Sequence, residues 1–325
     1  MKQYHVSSVC NALMDILVMA QDKDLSELGL TKGVMHLVDS ERQKVVLDYF
    51  SSQEATVELG GSAMNCIRSL AGLGKKAVFA GVICRHDSYG KKIEEKMRNL
   101  GIKAHLGHAE EATGTCLILV TPDGQRTMNT CLGASRLYNK SVVPHDDIAQ
   151  SRIFHFSGYQ WDTEDQKEAI LSAIHTAKQN HVLVSFDVAD PFVVTRHRHD
   201  FLNLIKEYAD VVFANEEETR LLFESTPEKA AEFIVGCDAL AVVKLGAKGA
   251  LLQSGEKRVY VAPVKTEVVD TTAAGDMFAS GILYGLLKEK KLEDIGKAGA
   301  ILAADVISRM GAKVSEGAFE RVKSL

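Results

Sequence analysis

Two carboxylates and a glycine stand between a β-branched run and a long apolar segment, in VVDTTAAGDMFASGILYGLL (residues 268–287). The run predicts a strand that ends at about Asp270, and the apolar segment predicts a buried helix that begins a few residues later. In an open parallel sheet, ligands bind beyond the carboxyl ends of the strands. The unpaired N–H groups and the dipole at the start of the helix favour an anion at this point.

The residues at the start of this helix are small enough for an anion to approach the backbone. Ala273, Ala274 and Gly275 would leave the N–H groups open to a phosphoryl group, whose charge spreads over its oxygens during transfer. Asp276 could accept the proton of a substrate hydroxyl that attacks phosphorus. Taken alone, Asp276 is better explained as an acid that stabilises the helix dipole. The complete string DTTAAGD before a buried helix favours the functional interpretation.

The elements that must position these residues alternate along the chain. Short apolar runs predict strands at HVSSVCNAL, KAVFAGVI, RIFHFSG, HVLVSFDV, DVVFAN and ALAVVKLG, and most segments between them have helical periodicity. The last third of the chain ends with two predicted helices. This alternation predicts an α/β fold in which helices cover both faces of a doubly wound, mostly parallel sheet. We expect residues 1–325 to form one domain.

Two regions depart from this alternation and predict a small accessory sheet. GVMHLVDSE (33–41) and TGTCLILVTPDGQRTMNT (113–130) have the composition of strands, and the second is predicted to be a hairpin that turns at Pro-Asp-Gly. Together with residues 12–18, they predict a small antiparallel sheet that stands off the main domain as a lid.

Composition narrows the class of protein. The chain has 325 residues, 46% of them hydrophobic and 25% charged, with a net charge of −5. A negative chain does not offset phosphate repulsion, so we expect neither a nucleic acid nor a membrane as partner. No apolar run reaches the ~18 residues of a membrane span, and the N-terminus does not match a targeting signal. The six cysteines form no CxxC pair, which favours buried thiols in a reducing, cytoplasmic compartment.

The motifs resemble those of a known family. DTTAAGD before an apolar helix resembles the C-terminal signature of the PfkB/ribokinase family of ATP-dependent small-molecule kinases, and GGSAMNCIRSLAGLG (60–74) is similar to its N-terminal signature. The resemblance covers nearly the whole chain. It implies a ribokinase-like fold and a kinase that uses ATP and Mg²⁺, with Asp276 as general base and the 273–276 backbone as anion hole. Because the family has either Gly or Ala at position 273, we expect Ala273 to have a conformation that alanine can adopt.

Several residues of the N-terminal half are candidates for binding the substrate. Gly60 and Gly61 would let the backbone approach it closely, and Asn65 could hydrogen-bond a hydroxyl. The alternative is a helix-entry loop with an incidental asparagine. Asn11 and Asp15 match family positions that grip substrate hydroxyls, and an aspartate within NALMDILV needs a polar partner if it is buried.

Two further motifs resemble the nucleotide side of the family. In FANEEE, Asn215 and Glu218 are similar to the NxxE motif of the Mg²⁺–phosphate network, where the glutamate often acts through water. KLGAKGALL resembles the nucleotide-side turn, which implies that Gly246 and Gly249 lie near ATP. Lys244 stands where the family usually has a small hydroxylated residue near the phosphates, and its role stays open.

A possible binding site for a monovalent cation rests on a weaker resemblance. AADVISRMGAKVS (303–315) is similar to the segment that, with the loop Asp270–Thr272, encloses a monovalent cation such as K⁺ in ribokinases. This implies that Gly311 and Ser315 lie beside the ion and that Thr271 lies beside ATP. A plain helix with Gly311 as its C-cap explains the same residues equally well.

The acceptor is expected to be a primary hydroxyl of a nucleoside or sugar. SGYQWD, DVADPFVVTRHR and FANEEE resemble the bacterial adenosine-kinase-like branch, in which Met35 or His36 of the lid would cover a base. A ribokinase- or fructokinase-type sugar kinase is the alternative, and a catalytically retired nucleotide-binding protein is a candidate of another class.

We expect a monomer or a lid-mediated homodimer. The chain has no P-loop motif and no GxGxxG, which argues against P-loop enzymes and dehydrogenases. TRHRHD (195–200) is predicted to be a solvated loop.

Overall fold

A computed structural model describes residues 2–325 of the chain. The strands are β1 (Tyr4–Val9), β2 (Leu13–Met19), β3 (Met35–Leu37), β4 (Thr56–Gly60), β5 (Ala77–Cys84), β6 (Lys103–Ala109), β7 (Thr113–Val120), β8 (Arg126–Gly133), β9 (Ser151–Ser157), β10 (Leu183–Asp187), β11 (Val211–Asn215), β12 (Leu240–Lys244), β13 (Ala250–Ser254) and β14 (Lys257–Val261). The α-helices are α1 (Asp22–Glu27), α2 (Ser40–Tyr49), α3 (Ser62–Gly72), α4 (Ser88–Asn99), α5 (His145–Ala149), α6 (Glu164–Gln179), α7 (Pro191–Glu207), α8 (Glu216–Phe223), α9 (Pro227–Val235), α10 (Ala274–Leu287), α11 (Leu292–Val306) and α12 (Glu316–Lys323).

The large sheet has nine strands in the order β14-β13-β12-β11-β10-β9-β1-β5-β6. The strands from β12 to β6 are parallel, and β13 and β14 add an antiparallel edge. The predicted doubly wound, mostly parallel sheet is therefore confirmed. The chain builds outward from β1 on one side and then restarts at β9 on the other, so the strand order reverses between β1 and β9. A ligand crevice is expected at this reversal, beyond the carboxyl ends of the strands.

Apolar side chains cover both faces of the large sheet, as a parallel sheet requires. On one face, α3, α10 and α11 pack in a cluster that includes Met64, Ile67 and Ile282. On the other face, α6, α7 and α9 pack in a second cluster that includes Ile170 and Phe201. The long apolar segment that follows the DTTAAGD string is α10, and it is buried between the sheet and α11. This burial fixes the position of the first turn of α10.

A second sheet of five strands, in the order β3-β8-β7-β2-β4, forms the lid. The segments 12–18, 33–41 and 113–130 each contribute to it, and β4 joins them without having been predicted. The prediction of an antiparallel sheet is wrong in part, because β2 pairs with β7 and β3 pairs with β8 in parallel. The chain leaves this sheet between those strands and returns to it, and no local pattern signals that crossover. Helices α1 and α2 pack on the outer face.

Three local predictions are wrong for identifiable reasons. The strand predicted for HVSSVCNAL is too long, because β1 ends at Val9 and Leu13, the last residue of this string, already begins β2 in the lid. TRHRHD lies within α7, whose backbone is kinked at His197. The alternative of a plain helix with Gly311 as its C-cap does not hold, because α11 ends at Val306 and Gly311 follows in a loop with a φ of 80°.

None of the helices within residues 2–325 combines the length and the apolar character that crossing a membrane requires.

Candidate active site

A cavity of about 490 Å³ opens between the lid and the carboxyl ends of the large sheet. It lies where the strand order reverses, since Asn11 follows β1 and Tyr159 follows β9 at its floor. The lid contributes its inner face, and the first turns of α3 and α10 close the remaining side. The cavity thus brings together residues from distant parts of the sequence.

The start of α10 carries the predicted anion hole. Ala274 is the first helical residue, and no side chain caps the helix. The N–H groups of Gly275 and Asp276 therefore have no intrahelical acceptor, and both residues line the cavity. Ala273 has φ 58° and ψ 14°, in the left-handed region. Alanine does occupy this conformation, but it is one that residues with a Cβ adopt only at a cost, and the sharp turn from the loop into the helix imposes it.

Asp276 faces the cavity from the first turn of α10. Its Oδ1 accepts a hydrogen bond from Ser62 Oγ at 2.7 Å, and its Oδ2 accepts one from Asn65 Nδ2 at 2.9 Å. Burial raises the pKa of Asp276 above the usual value for aspartate, whereas these two hydrogen bonds lower it. A carboxylate that is held in one orientation and has a raised pKa suits the acceptance of a proton.

Asp15 lies on β2, deep in the cavity and only 7% exposed. Burial raises the pKa of its carboxyl to about 7, although the charge of Arg68 lowers it. No hydrogen bond from residues 2–325 contributes to that pKa, so the carboxylate is available to a ligand. On the adjacent strand β4, Asp15 pairs with Glu58, and a Cβ on the nearby Gly60 would collide with Asp15 Oδ1. Gly60 therefore makes room for this carboxylate.

Gly61 and Asn11 meet at the wall of the same cavity. Gly61 has a φ of 97°, and a Cβ there would lie 2.6 Å from the carbonyl oxygen of Asn11. The side chain of Asn11 is engaged within the protein: Nδ2 donates to the Tyr159 carbonyl at 3.1 Å, and Oδ1 accepts from Gln166 at 3.2 Å. Asn11 lines the cavity, but its amide ties β1 to the segments beside it.

Asn215 and Glu218 form a reciprocal cap at the start of α8. The Asn215 N–H donates to Glu218 Oε2 at 2.7 Å, and the Glu218 N–H donates to Asn215 Oδ1 at 2.8 Å. Glu218 is 1% exposed, and burial raises the pKa of its carboxyl. Both residues line the cavity. A structural role and a role towards a bound nucleotide are therefore compatible at this position.

Lys244, at the end of β12, lies between these groups and α10. Its Nζ is 3.2 and 3.1 Å from the two carboxylate oxygens of Asp187, at the end of β10. A Cβ on Gly275 would lie 3.2 Å from the same Nζ, so the ammonium lies directly over the predicted anion hole. Burial alone would lower the pKa of Lys244, but the negative charges of Asp187 and Glu218 outweigh burial. The pKa is therefore raised above its ordinary value, and the side chain stays a cation.

The two glycines predicted beside ATP occupy different places. Gly246 lines the cavity and has a φ of 58°. Gly249 does not line the cavity, and a Cβ there would collide with the carbonyl oxygen of Val261. The close pairing of β13 with β14 accounts for this glycine.

The loop proposed to enclose a monovalent cation is held by its own aspartate. Asp270 Oδ1 accepts from the N–H and the hydroxyl of Thr272 at 2.9 and 2.6 Å, and Oδ2 accepts from the Gly311 N–H at 2.9 Å. Ser315 instead donates to Asp305 at 2.6 Å and caps α12. No group of three or more His, Cys, Asp or Glu residues within residues 2–325 could hold a metal ion. The cation site stays a prediction.

Sequence reasoning missed Arg126 and Asp187. Arg126 is the first residue of β8 in the lid, and it donates to the hydroxyls of Thr271 and Thr272 at 2.6 and 3.0 Å. Its Nε lies 3.4 Å from Asp270. Arg126 thus joins the lid to the loop before α10. The signal for Asp187 was its place at the end of a predicted parallel strand, and the signal for Arg126 was a cation directly after the hairpin turn.

Comparison with known proteins decides the family. The profile described as pfkB family carbohydrate kinase matches residues 39–317. The chain belongs to this family. The membership predicted from the two signatures is confirmed, and the chain is accordingly a phosphotransferase that acts on an alcohol group.

Solved structures and curated relatives within the family carry several names. The chain is similar to a probable sugar kinase from Rhizobium etli CFN 42, with 35% identity, a TM-score of 0.93 and coverage of 100% of this chain and 99% of that chain. It is similar to adenosine kinase from Sinorhizobium meliloti, with 33% identity, a TM-score of 0.91 and coverage of 99% and 100%. The 5-dehydro-2-deoxygluconokinase of Bacillus subtilis is 29% identical over 289 residues, which are 82% of this chain and 86% of the relative.

Proposed function

We propose that the protein transfers the γ-phosphoryl group of ATP to a primary hydroxyl of a nucleoside, in the manner of an adenosine kinase. The observation that carries the proposal is the position of Asp276, which is oriented by Ser62 and Asn65 at the uncapped start of α10 and faces the cavity. The same cavity offers a nucleotide side and an acceptor side.

In the proposed reaction, Asp276 accepts the proton of the acceptor hydroxyl while the hydroxyl oxygen forms a bond to the γ-phosphorus. The bond between that phosphorus and the β–γ bridging oxygen breaks, and ADP leaves with the electron pair. The unpaired N–H groups of Gly275 and Asp276, within the predicted 273–276 anion hole, would hydrogen-bond the phosphoryl oxygens during transfer, whereas the Ala274 N–H donates to the Thr271 carbonyl. The ammonium of Lys244 over Gly275 adds a positive charge at the same place.

The nucleotide side has the donors that Mg²⁺ and phosphates require. Carboxylate oxygens of Asp187 and Glu218 face this part of the cavity, and oxygen donors suit Mg²⁺. Because Glu218 already accepts hydrogen bonds from Asn215, an indirect contact through water fits its geometry. Bound Mg²⁺ would neutralise charge on the phosphates of ATP. Thr271 and Gly246 line the same side and would lie beside the nucleotide.

The acceptor side combines a carboxylate with an apolar wall. Asp15 would accept hydrogen bonds from vicinal hydroxyls of a ribose, and the inner face of the lid would cover a base. Met35, Ile118 and Met128 form part of that wall. His36 does not line the cavity, because its ring is hydrogen-bonded to the backbone of Thr31. The apolar wall favours a nucleoside over a small sugar, which has no apolar group of that size.

A sugar kinase is the second candidate, supported by the similarity to the probable sugar kinase of Rhizobium etli over the whole chain. A retired nucleotide-binding protein is disfavoured because Asp276, Gly275, Asn215 and Glu218 are all present and line one cavity.

The test is an ATP-consumption assay with adenosine, other nucleosides, ribose, fructose and 5-dehydro-2-deoxygluconate, with each product identified by mass. We expect kcat/KM for adenosine to exceed that for each sugar by about tenfold or more, because the apolar wall contributes binding energy only to a base. If a sugar is phosphorylated as efficiently as adenosine, the proposed nucleoside specificity is wrong.

A further inference from the structure

An arginine whose side chain is only 13% exposed lies behind the proposed base and has no assigned role. Arg68 is one turn after Asn65 on α3, so the two side chains share a face of the helix. One guanidinium nitrogen, Nη2, donates to Asn65 Oδ1 at 3.2 Å and to the Ala312 carbonyl oxygen at 2.5 Å. The other, Nη1, donates to the Leu59 carbonyl oxygen at 3.4 Å.

The hydrogen-bonding capacity of these groups fixes the orientation of the amide. A guanidinium only donates, so Asn65 must present its oxygen to Arg68. An ionised carboxylate only accepts, so Asn65 must present its nitrogen to Asp276. Both conditions hold at once, since Oδ1 faces Arg68 and Nδ2 lies 2.9 Å from Asp276 Oδ2. Without the guanidinium, only the hydrogen bond to Asp276 itself would hold the Asn65 nitrogen towards the base, and the amide oxygen would have no donor to fix it.

We propose that Arg68 is a positioning residue, which holds the Asn65 amide in the orientation that donates to Asp276. The inference rests on the proposed function, because it concerns the role of Asp276 as base. Arg68 itself does not line the cavity, so it acts on the reaction through Asn65.

Arg68 is anchored from several directions. Glu58 Oε2 lies 3.9 Å from Nη1, and Lys313 lies 3.4 Å from the other oxygen of Glu58. The hydrogen bond to Ala312 ties the guanidinium to the loop that follows α11. The start of α3 is thereby linked to the C-terminal part of the chain. Such anchoring limits the rotation of the guanidinium and so of the amide that it holds.

The charges around the two groups come from several elements. Asp276 faces Asp187 of β10 and Lys244 of β12, in addition to its hydrogen bonds from α3. Arg68 faces Asp15 of β2, Glu58 of β4 and Asp276 itself. Removing Arg68 therefore acts on Asp15 directly through charge and on Asp276 both through charge and through Asn65. A test must separate these routes.

The first measurement is the pH dependence of kcat for Arg68→Met at saturating adenosine and ATP. An amide free to turn no longer donates reliably to Asp276, so the pKa of the base rises and the acid limb of the profile moves to higher pH. We expect a shift of about one pH unit, the size of one lost charge-assisted hydrogen bond. The matched control, Arg98→Met on the exposed face of α4, should leave the profile unchanged.

The second measurement repeats the substitution in an Asn65→Ala background. If Arg68 acts through Asn65, then Arg68→Met adds little further shift once the amide is absent. A shift that persists in full would mean that Arg68 acts through charge on Asp15 or Asp276, and it would overturn the proposal. An acid limb for Arg68→Met that coincides with that of the unmodified protein would also overturn it.

The double variant Arg68→Met/Glu58→Met guards against a folding defect. It removes the buried pair together, so that neither charge is left without its partner. We expect it to fold and to show the same shift as Arg68→Met, and an unshifted limb in this folded variant would contradict the inference. These outcomes are distinct from failure of the proposed function, in which Asp276→Asn would keep its kcat whatever Arg68 does.

Discussion

At the scale of single residues, the cavity concentrates carboxylates whose pKa values are raised. Burial is the main cause for Asp15, Glu218 and Asp276 alike. Each of these groups costs folding free energy when it ionises, because the unfolded chain exposes it to water. Such a site is stabilised less by its own contacts than by ligands that donate to these carboxylates or neutralise them.

Because ionisation of buried Asp15 costs free energy, the free energy of unfolding should depend on pH through this residue. Its pKa in the folded protein is about 7, above the ordinary aspartate value of 3.8. The stability associated with the neutral carboxyl is therefore complete below about pH 4 and is lost as pH rises through about 7. Asp15→Asn should weaken this decline, with a difference on the order of 2–4 kcal/mol between the two ends of the range.

The measurement is the free energy of urea unfolding of the ligand-free protein at several pH values from 4 to 8. Asp146→Asn, an exposed change on α5, is the matched control. Parallel curves for Asp15→Asn and the unmodified protein would show that Asp15 is not buried as a titrating group.

The left-handed backbone at Ala273 leads to a second prediction. Glycine adopts a φ of 58° at no steric cost, whereas alanine there costs about 1–2 kcal/mol. Ala273→Gly should therefore keep activity and leave stability unchanged or raise it by up to ~1 kcal/mol, since the greater freedom of the unfolded glycine offsets part of the gain. Ala273→Val should lower both stability and kcat, because its branched side chain is strained there and lies beside the anion hole. The measurements are the melting temperature and the kcat of each variant at saturating ATP. A clear loss of stability in the glycine variant would contradict the left-handed conformation of Ala273.

Sequence and structure differ at this scale in an instructive way. The sequence indicated Asp276, Asn65 and Asp15 because each belongs to a recognisable local string, and the structure brings all three to one cavity. It did not indicate Arg68 or Arg126, since their roles depend on contacts with residues more than a hundred positions away. A lone arginine in a helix carries no local signal of such a partner, and the place of Arg126 directly after the hairpin turn does not indicate which residues it contacts.

At the scale of elements, the alternating pattern predicted the large sheet because a strand buried on both faces is a continuous apolar run. It did not predict β6, β13 and β14 of that sheet, nor β4, α1, α2 or α12. Helix α1 spans only Asp22–Glu27 and buries Leu25 alone, so its apolar periodicity is too short to recognise. Strand β4 has mixed composition because it lies at the edge of the lid.

The contact that Arg126 makes between the lid strand β8 and the main domain leads to a testable prediction. Arg126 joins β8 to Thr271 and Thr272 in the loop before α10. Arg126→Met should weaken this connection, lowering kcat/KM by about tenfold or more because the lid no longer holds the acceptor in register with the anion hole. The control is Arg258→Met, which removes an arginine from the edge strand β14 of the large sheet, where its partner is Glu232. Unchanged kcat/KM for Arg126→Met, measured with both substrates, would mean that this contact has no part in the reaction.

At the scale of the whole molecule, the lid is covered by its own chain. Side chains of α1 and α2, including Leu25, Val46 and Phe50, pack on the outer face of the lid sheet against Leu117 and Leu119. The inner face lines the cavity. Neither face is left as a broad apolar surface for a second copy, so we expect a monomer and not a lid-mediated dimer.

Light scattering after size-exclusion chromatography tests this expectation. A monomer has a mass of 35.5 kDa, and we expect that value over a range of protein concentrations, with and without ATP and adenosine. A stable mass of twice that value would contradict the expectation and would place the interface elsewhere than on the two faces of the lid.

The central claim is that Asp276 takes the proton of the acceptor hydroxyl, and the kcat of Asp276→Asn tests it most directly. Asparagine keeps the shape of the side chain but accepts no proton, so kcat should fall by about 10²–10⁴-fold. Binding of ATP, measured by calorimetry, and the melting temperature should remain close to those of the unmodified protein, as they should for the exposed control Asp146→Asn. A folded Asp276→Asn variant with kcat near that of the unmodified protein would contradict the account.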